Sequence, residues 1–558
     1  LAATRVGADG LIEKGRENLF TYSNDFSNAA WTKSSATITA DALTSPQGAT
    51  NASYLTDDTA NNFHGLYAIK NISSVVTCSI FVKYDNKQFV SFLTNNNGSS
   101  DRYAYFDLVN KTTHNISSGI TASIEDVGSG WLRLSVISVS SASAYYWWNI
   151  AASNSTTAYV GDGTGRIGIF GGQLEVGLVA TEYIETTTTT GTAGILEDTP
   201  RFDYSNGASC PSLLLEGSRT NLIEYSEYFD AWIKGRSSVV SNAALSPEGL
   251  GNASYLYDTT DVGTHRIYTS NVQLLTNGQS QSITLYAKSG TFFNLRMSIK
   301  QNNEADLGFG TFDFDLTEGT CSNSNGSIES IGNDGWYKCT AVGSVNASVS
   351  AKMWVYLLND SGSQSYAGTG NDYLQIFGAQ WESNASYPTS YIPNNSGGTI
   401  TRAADLATGA GTSSTFNDSE GVLFIELETT KNASPSQITI NDGTYTNRLI
   451  FEVRPNAAFI KALINSGGSN VYEASVSATP NTSYKVAIKY SANDIAFFVN
   501  GVKEASTTTT TAMPTGLIDL SYTGRENDGA LRFVGNIKQT LVFNTALSDA
   551  DLATLTTI

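Results

Sequence analysis

Stretches of alternating apolar and polar residues run through most of the chain. The alternation is clearest at residues 78–84, 131–136 and 282–288, which are rich in β-branched and aromatic side chains. Gly, Asn, Asp and Ser bound these stretches, as expected of strands that end in turns. Helical periodicity never exceeds two turns except at the C-terminal residues 548–555. Many short strands separated by turns predict antiparallel β-sandwiches.

The same pattern occurs twice, about 200 residues apart. Residues 51–55 recur letter for letter at 252–256, and residues 169–173 recur with one substitution at 376–380. The order of the matching phrases is kept. The repeat is therefore the duplication of a domain, because the period of a stacked repeat would be about 20–50 residues. A catalytic centre is rarely built as two tandem near-copies, whereas a binding or spacer module often is.

A different pattern begins at about residue 401. Residues 421–427 alternate as one strand, and residues 484–490 and 495–499 are predicted to pair. The dipeptide Asn500-Gly501 follows directly and favours a tight hairpin turn.

Two changes of composition mark the domain boundaries. Thr and Gly fill residues 186–194, and Pro, Asn, Ser and Gly fill residues 393–398. The segment 200–219 is too apolar for a loose tether, so we expect it to pack along a domain as a strand. The predicted fold class is all-β, with the first two domains a duplication, in three tandem antiparallel β-sandwich (jelly-roll) domains at residues 1–190, 191–400 and 401–558.

Composition and charge exclude several classes of partner. The 32 Lys and Arg residues stand against 51 Asp and Glu residues, a net charge of −19, so nucleic acid and anionic membrane surfaces are not expected partners. No apolar run is long enough to span a bilayer. Because the chain begins at Leu1 rather than Met, we expect it to be part of a longer protein.

The four cysteines form no C-x-x-C pair, which argues against a zinc site. Cys321 and Cys339 fall in one module and could meet across adjacent strands. Free thiols are the favoured prediction, because the matching positions in the first copy hold no cysteine.

No catalytic motif is present in the sequence. The three histidines form no Ser-His-Asp motif, and G-x-S-x-G and H-E-x-x-H are absent. A glycosidase needs only two carboxylates, but neither copy has an acid pair distinct enough to nominate. His64 and His265 occupy matching places and are predicted to be surface-loop residues. We therefore predict a protein that is not an enzyme.

The aromatic run at residues 145–148 is the strongest binding candidate. Alternation places two of its side chains in the core and two on the open side of a strand. Exposed aromatic rings can stack on the C–H faces of sugars, and core filling or subunit contact is the alternative interpretation. The glycan-binding candidates, including the corresponding strand of the second copy, are Tyr145, Tyr146, Trp147, Trp148, Trp354 and Tyr356.

Parts of the sequence resemble two known kinds of β-sandwich domain. Residues 401–558 resemble the laminin-G/concanavalin-like jelly roll, through the hairpin at 495–501, the F-x-G-x-I strand at 533–537 and the A-L-S turn at 546–548. The first two domains resemble carbohydrate-binding-module-like jelly rolls of tailed-bacteriophage fiber, spike and head-decoration proteins. That second resemblance rests on residues 3–13, 18–31 and 200–223.

The phage resemblance implies a function and a location. It implies a non-enzymatic virion structural protein (fiber, spike or capsid decoration) at the virion surface, which mediates attachment to host-surface polysaccharide and contacts other virion proteins. A homo-oligomer is expected, with a trimer favoured, because a three-fold axis lets parallel chains bury their side faces. The alternative is an accessory carbohydrate-binding region of a secreted or cell-surface carbohydrate-active enzyme. A scaffold without a ligand is a third possibility.

The resemblance also implies a structural Ca²⁺, because related jelly rolls often hold one near their terminal strands. Solvated surface acids are the simpler interpretation. The candidate ligands carry side-chain oxygens on the last strand of each copy or in nearby turns, and they are Gln173, Glu175, Gln380, Glu382, Asp57, Asp58 and Asp258.

Overall fold

The computed structural model describes residues 3–96, 101–196, 198–429, 435–454, 458–524 and 531–558. Its regular elements are almost all antiparallel strands, which confirms the predicted all-β class. One α-helix occurs among the described residues, at the C-terminus. No helix in these ranges is long and apolar enough to cross a membrane.

The first copy is built around two strands of 21 residues each, β8 and β13. They pair along their whole length, from His64 opposite Ile150 to Lys83 opposite Trp131. They lie at the centre of a ten-stranded sheet in the order β11-β10-β9-β13-β8-β15-β6-β5, with β4 on β8 and β12 on β13. The strands of this part are β1 (Thr4–Val6), β2 (Ile12–Lys14), β3 (Arg16–Asn18), β4 (Thr32–Ser34), β5 (Ala36–Thr44), β6 (Thr50–Asp57), β7 (Asn61–Asn62), β8 (His64–Tyr84), β9 (Phe89–Asn96), β10 (Arg102–Asp107), β11 (Thr112–His114), β12 (Ile120–Gly128), β13 (Trp131–Ala151), β14 (Tyr159–Val160), β15 (Arg166–Val176) and β16 (Gly191–Ala193).

The second copy divides the same arrangement into two sheets. One sheet has the order β20-β24-β32-β27-β28-β29 with β25 on β32, and the other has the order β21-β22-β34-β26-β31-β30. The strands from the end of the first copy to the third domain are β17 (Phe202–Asp203), β18 (Ser212–Leu215), β19 (Arg219–Asn221), β20 (Ile233–Gly235), β21 (Ser237–Ala244), β22 (Ala253–Asp258), β23 (Val262–Thr264), β24 (Arg266–Tyr268), β25 (Gln273–Leu274), β26 (Ser280–Ser289), β27 (Asn294–Gln301), β28 (Phe312–Asp315), β29 (Thr320–Cys321), β30 (Gly326–Ile331), β31 (Trp336–Ser344), β32 (Ser350–Leu358), β33 (Ser365–Ala367), β34 (Tyr373–Ser383) and β35 (Ile400–Arg402).

The third domain is a two-sheet sandwich closed by the helix. Its sheets have the orders β17-β18-β45-β36-β41-β42-β43 and β40-β39-β38-β37-β44. Asn500 and Gly501 have positive φ between β42 and β43, as the predicted tight turn requires. The elements are β36 (Glu420–Thr429), β37 (Ser436–Asn441), β38 (Arg448–Arg454), β39 (Phe459–Ser466), β40 (Ser469–Ser477), β41 (Ser483–Ser491), β42 (Ile495–Val499), β43 (Val502–Thr507), β44 (Asp519–Ser521), β45 (Gly535–Phe543) and α1 (Asp549–Thr556).

A short segment precedes each copy, and we call it the lead segment of that copy. It packs not on its own copy but on the next domain along the chain. The lead segment of copy 1 (residues 4–14) lies on copy 2, where Ile12 enters a cluster with Trp336 and Tyr391. The lead segment of copy 2 (residues 202–215) joins the third domain, where β18 pairs with β45. The expectation that residues 200–219 pack as a strand is thus met on the third domain. The domain boundaries stay predictions.

Each domain has its own apolar core. In copy 1 the core contains Trp31, Tyr146 and Trp148, and in copy 2 it contains Trp232 and Trp381. All four cysteines are free, with those at positions 78 and 339 buried. Burial raises the pKa of both buried thiols, which keeps them protonated and unreactive.

Candidate functional site

The aromatic run of copy 1 divides between the core and the outer side of the sheet. Tyr146 and Trp148 are buried in the core, whereas Tyr145 and Trp147 alternate with them and are half-buried on the outer side. The ring of Tyr67 on β8 lies 4.9 Å from the Trp147 ring and 5.4 Å from the Tyr145 ring, centroid to centroid. These three rings form one aromatic surface across two neighbouring strands.

Polar side chains flank these rings, and one of them, Asn95, donates from Nδ2 to the Asp101 carboxylate at 2.8 Å. Ser91 and Asn95 on β9 lie opposite Asn149 and Tyr145 in the sheet register. The indole nitrogen of Trp147 and both side-chain polar atoms of Asn149 are buried without a hydrogen-bond partner among the described residues. Hereafter the "copy-1 face" means the group Tyr67, Tyr145, Trp147, Asn149, Ser91 and Asn95.

Copy 2 has an aromatic pair at the same place. Tyr268 lies opposite Trp354 as Tyr67 lies opposite Trp147. The rings of Tyr268 and Trp354 are stacked, with centroids 4.0 Å apart and planes 21° apart. Tyr356 continues the row, its ring 6.1 Å from that of Trp354 and nearly parallel to it.

Cationic side chains cover this second row of rings. Arg266 lies 5.3 Å from the Trp354 ring centroid and Lys300 lies 5.1 Å from that of Tyr356. Lys352 lies 5.0 Å from the ring centroid of Tyr268. Such distances allow cation–π attraction. We use the term "copy-2 face" for Tyr268, Trp354, Tyr356, Arg266, Arg296, Lys300 and Lys352.

The cations over these rings leave two of the predicted glycan-binding residues, Trp354 and Tyr356, without an exposed ring. Trp354 is only 1% exposed and Tyr356 is 0% exposed, so neither offers the open ring that the strand pattern suggested. They lie in a small cluster apart from the main core of copy 2. The Trp354 indole nitrogen and the Tyr356 hydroxyl have no hydrogen-bond partner among the described residues. A bound acceptor could reach these donors only if the cations above moved or took part in binding.

The residues nominated as Ca²⁺ ligands in the last strands are engaged with protein donors. Gln173 Nε2 donates to Glu175 Oε2 at 2.6 Å, and Glu175 also accepts from the backbone nitrogen of Thr181 at 3.0 Å. The second copy repeats this corner, where Glu382 accepts from Thr389 and Gln380 accepts from a backbone nitrogen.

The aspartates nominated as Ca²⁺ ligands are also hydrogen-bonded. Asp57 accepts from Tyr159 Oη at 2.8 Å, and Asp258 accepts from two backbone nitrogens of the 369–372 turn at 2.9 Å. Asp58 caps its own turn. Within the described ranges, no group of three or more His, Cys, Asp or Glu side chains could hold a metal ion. A structural Ca²⁺ stays a prediction.

The expectation of surface-loop histidines at 64 and 265 is wrong. Both side chains are 0% exposed. His64 begins β8, and His265 lies between β23 and β24. His64 Nδ1 lies 2.6 Å from the Ser35 carbonyl oxygen, and His265 Nδ1 lies 2.6 Å from that of Arg236. Their second ring nitrogens also face carbonyl oxygens. The matching contacts indicate that both histidines join strands in the same way in the two copies.

Sequence reasoning missed the buried ion pairs between domains. Lys14 of the first lead segment contacts Glu227 at 3.0 Å and Glu248 at 2.8 Å, with both carboxylates fully buried. Glu216 contacts Arg201 at 2.9 Å and Arg402 at 2.7 Å. No local pattern reveals these pairs, because even the nearest partners, Arg201 and Glu216, are 15 residues apart in the sequence.

A cavity of about 380 Å³ lies between copy 1 and copy 2, at the end of the first lead segment. Its lining includes Lys14, Glu175, Asn252 and Asn395, but no aromatic side chain. Lys14 and Glu175 are already bonded within the protein, and Asn395 Nδ2 donates to a buried glutamate. The aromatic faces are therefore the better candidates for a binding site than this larger cavity.

Comparison with known proteins gives one family match. Residues 422–553 match the model described as the Concanavalin A-like lectin/glucanases superfamily. The C-terminal domain is concanavalin-like. A comparison with curated proteins finds no match.

Several solved structures align with parts of this chain. The CBM40 domain of the Ruminococcus gnavus IT-sialidase, bound to α2,3-sialyllactose, is 21% identical over 27% of this chain and 94% of its own, with a TM-score of 0.24. The CBM22-1–CBM22-2 tandem of Paenibacillus barcinonensis Xyn10C is 12% identical over 66% of this chain and 96% of its own, with a TM-score of 0.21. Mouse laminin α1 domains LG4-5 are 11% identical over 52% of this chain and 89% of their own, with a TM-score of 0.20. Identities and TM-scores this low say nothing about what this chain binds.

Proposed function

We propose that this protein binds carbohydrate without catalysing a reaction, through the copy-1 face and the copy-2 face. One observation carries the proposal. A Tyr–Trp pair, Tyr67 with Trp147 and Tyr268 with Trp354, lies at the same register in both copies and outside both main cores.

The chemistry of these faces suits sugars. An aromatic ring offers an apolar plane for the C–H face of a sugar, and nearby polar groups bind its hydroxyls. Trp147, which is half-buried, has an indole nitrogen that the described part of the protein leaves unpaired. Leaving such an atom unpaired costs about 1–3 kcal/mol, and a bound hydroxyl would recover part of that cost.

Glycan-array binding by the full chain tests the proposal. Trp147→Ala should weaken binding of glycans held by the copy-1 face at least tenfold, because the largest ring of that face is lost. Tyr84→Ala is the matched control, since Tyr84 is 47% exposed at the far end of β8. An array without signal, or equal losses in both variants, would contradict the proposal.

The setting of this activity is a finer proposal. We infer that the chain is a virion surface component of a tailed phage, a fiber, spike or capsid decoration that attaches to host-surface polysaccharide and contacts other virion proteins. The phrases at residues 3–13 and 200–223 support it.

Fractionation of the source culture distinguishes this setting from its alternative. Mass spectrometry of purified particles should find the chain among the virion proteins. Recovery only from the secreted or envelope fraction, joined to a hydrolase domain, would favour an accessory region of a carbohydrate-active enzyme and overturn the virion assignment.

A further inference from the structure

Each cation of the copy-2 face has a neutral residue at the matching position of the copy-1 face. The sheet register matches Arg266 with Gly65 and Arg296 with Ser91, because these residues pair with Tyr356 and Asn149 in the two copies. It matches Lys300 with Asn95 and Lys352 with Tyr145 in the same way. Four cations on the copy-2 face thus replace four neutral residues on the copy-1 face.

The cations of the copy-2 face outnumber the carboxylates beside them. Asp313 forms a bidentate pair with Arg296 at 2.6 and 2.8 Å, and Glu304 pairs with Arg266. Asp306 lies opposite Lys300 in a β-bridge and acts to raise its pKa, but the two described side chains form no salt bridge. Four positive charges against these three negative ones leave an excess of +1, in a chain whose net charge is −19.

The two lysines of the copy-2 face have no carboxylate partner among the described residues. Lys300 lies directly opposite Lys352 on the neighbouring strand. Like charges placed opposite each other destabilise a sheet. Lys352 Nζ donates to the Ser270 carbonyl oxygen at 3.1 Å, which satisfies a hydrogen bond but does not neutralise the charge.

The surroundings of Lys300 and Lys352 disfavour their positive charges. Burial lowers the pKa of Lys300, and Arg296 and Arg266 lower it further against the influence of Glu304 and Asp306. Burial also lowers the pKa of Lys352. A cation in such surroundings is stabilised when an anion arrives.

We propose that the copy-2 face binds an acidic glycan, one whose sugars carry carboxylate groups. This inference rests on the proposed carbohydrate-binding function and assigns a ligand class to one of its two sites. The carboxylate binds beside Lys300 and the 4%-exposed Lys352. The Tyr356 hydroxyl and the Trp354 indole nitrogen donate to sugar oxygens once the Lys300 and Arg266 side chains that cover their rings turn toward the ligand. The copy-1 face, without cations, has no corresponding preference for charge.

Binding of the full chain to two polysaccharide panels tests the inference. The acidic panel is polygalacturonate, alginate, hyaluronate and polysialate, and the neutral panel is dextran, pullulan and galactomannan. The double variant Lys300→Gln/Lys352→Gln should bind its acidic ligand at least tenfold more weakly and leave neutral binding unchanged. Lys300→Arg/Lys352→Arg keeps both charges and should retain most of the acidic binding.

Two controls separate this result from general effects of charge or folding. Lys111→Gln/Lys503→Gln removes two exposed lysines elsewhere and should change neither panel. Single-stranded DNA tests whether any polyanion suffices, and equal affinity for it would overturn the inference. The unfolding temperature of each variant reports whether it is folded.

The outcomes distinguish this inference from the proposed function. If Trp147→Ala abolishes neutral binding while the Lys300/Lys352 variant keeps full acidic binding, the proposed function stands and the inference falls. If no acidic polysaccharide binds but a neutral one does, the inference falls alone. If neither panel binds, both fall.

Discussion

Glu216 is the most tightly held carboxylate of the junction between copy 2 and the third domain. It accepts from Arg402, from Arg201 and from the backbone nitrogen and hydroxyl of Ser390. Burial acts to raise the pKa of Glu216, but Arg402, Arg201 and the Ser390 hydrogen bonds outweigh it and lower the pKa to about 2. A depression of this size corresponds to about 3 kcal/mol of stability at neutral pH.

This depressed pKa predicts a loss of stability in acid. The contribution of Glu216 is complete above its unfolded pKa of about 4.3 and is lost as the pH falls through about 2. Glu216→Gln should therefore destabilise the protein at pH 7, and the difference from wild type should shrink between about pH 5 and pH 2. Urea unfolding at several pH values measures it, and a constant difference would contradict the assigned role.

Lys14 allows a second test at the scale of one side chain. Burial acts to lower its pKa, but Glu227 and Glu248 reverse the shift and raise it. Lys14→Met would leave these two buried carboxylates without a cation, at a cost of roughly 3–5 kcal/mol. Burial already raises the pKa of Glu248, so protonation of this carboxylate as the pH falls should relieve part of the loss. Denaturant unfolding at neutral and mildly acidic pH checks this, and Lys33→Met at a more exposed site is the control.

The alternation of side chains along a strand predicts the burial of some residues but not of others. Alternation correctly separates Tyr146 and Trp148 from Tyr145 and Trp147, because it depends only on neighbours in the sequence. Alternation could not predict that Trp354 is covered, since Arg266, which lies over its ring, comes from a different strand. The cations could have been noticed by aligning the two copies strand by strand.

At the scale of elements, the duplication conserves contacts better than strand lengths. From Tyr67 to Cys78 copy 1 runs within one strand, whereas the matching part of copy 2, from Tyr268 to Ile283, contains four more residues. The longer connection separates β24 from β26 and divides one continuous sheet into two. The sequence repeat therefore predicts the number and order of core strands, but not whether a strand crosses from one sheet to the next.

The C-terminal helix gives a prediction for one element. The Ser548 hydroxyl caps it by accepting from the Asp551 nitrogen at 3.2 Å, and Leu552 is buried against Phe424 and Phe498. Leu552→Ala should cost about 2–5 kcal/mol and Ser548→Ala about 1 kcal/mol. Calorimetry should show the loss in the unfolding transition of the concanavalin-like domain. The exposed Thr554→Ala is the control, and a loss as large as that of Leu552→Ala would contradict the packing.

At the scale of the whole molecule, copy 2 and the third domain are each completed by a segment from elsewhere in the chain. Residues 4–14, which precede copy 1, pack on copy 2, and residues 202–215, which precede copy 2, pack on the third domain. Removal of residues 1–15 deletes Ile12 from its cluster with Trp336, although copy 1 itself stays intact. Hydrogen exchange should become faster in β26 and β31 of copy 2 and remain unchanged in β8 and β13. Faster exchange confined to copy 1 would contradict this packing.

Assembly is tested at the same scale. The expected homotrimer should give three times the 59.5 kDa of one chain in light scattering. A single 59.5 kDa species would show that residues 1–558 do not drive oligomerisation by themselves.

The docking of residues 4–14 on copy 2 has a consequence for polymers. A loose tether would let the two faces meet a polysaccharide independently, with an effective concentration set by chain entropy. Here the docked segment fixes their separation, so a second contact gains avidity only when the polymer repeats at the matching distance. If both faces bind as proposed, the avidity depends on the spacing of acidic and neutral sugars along one polysaccharide, and a mixture of two separate polymers does not reproduce that gain.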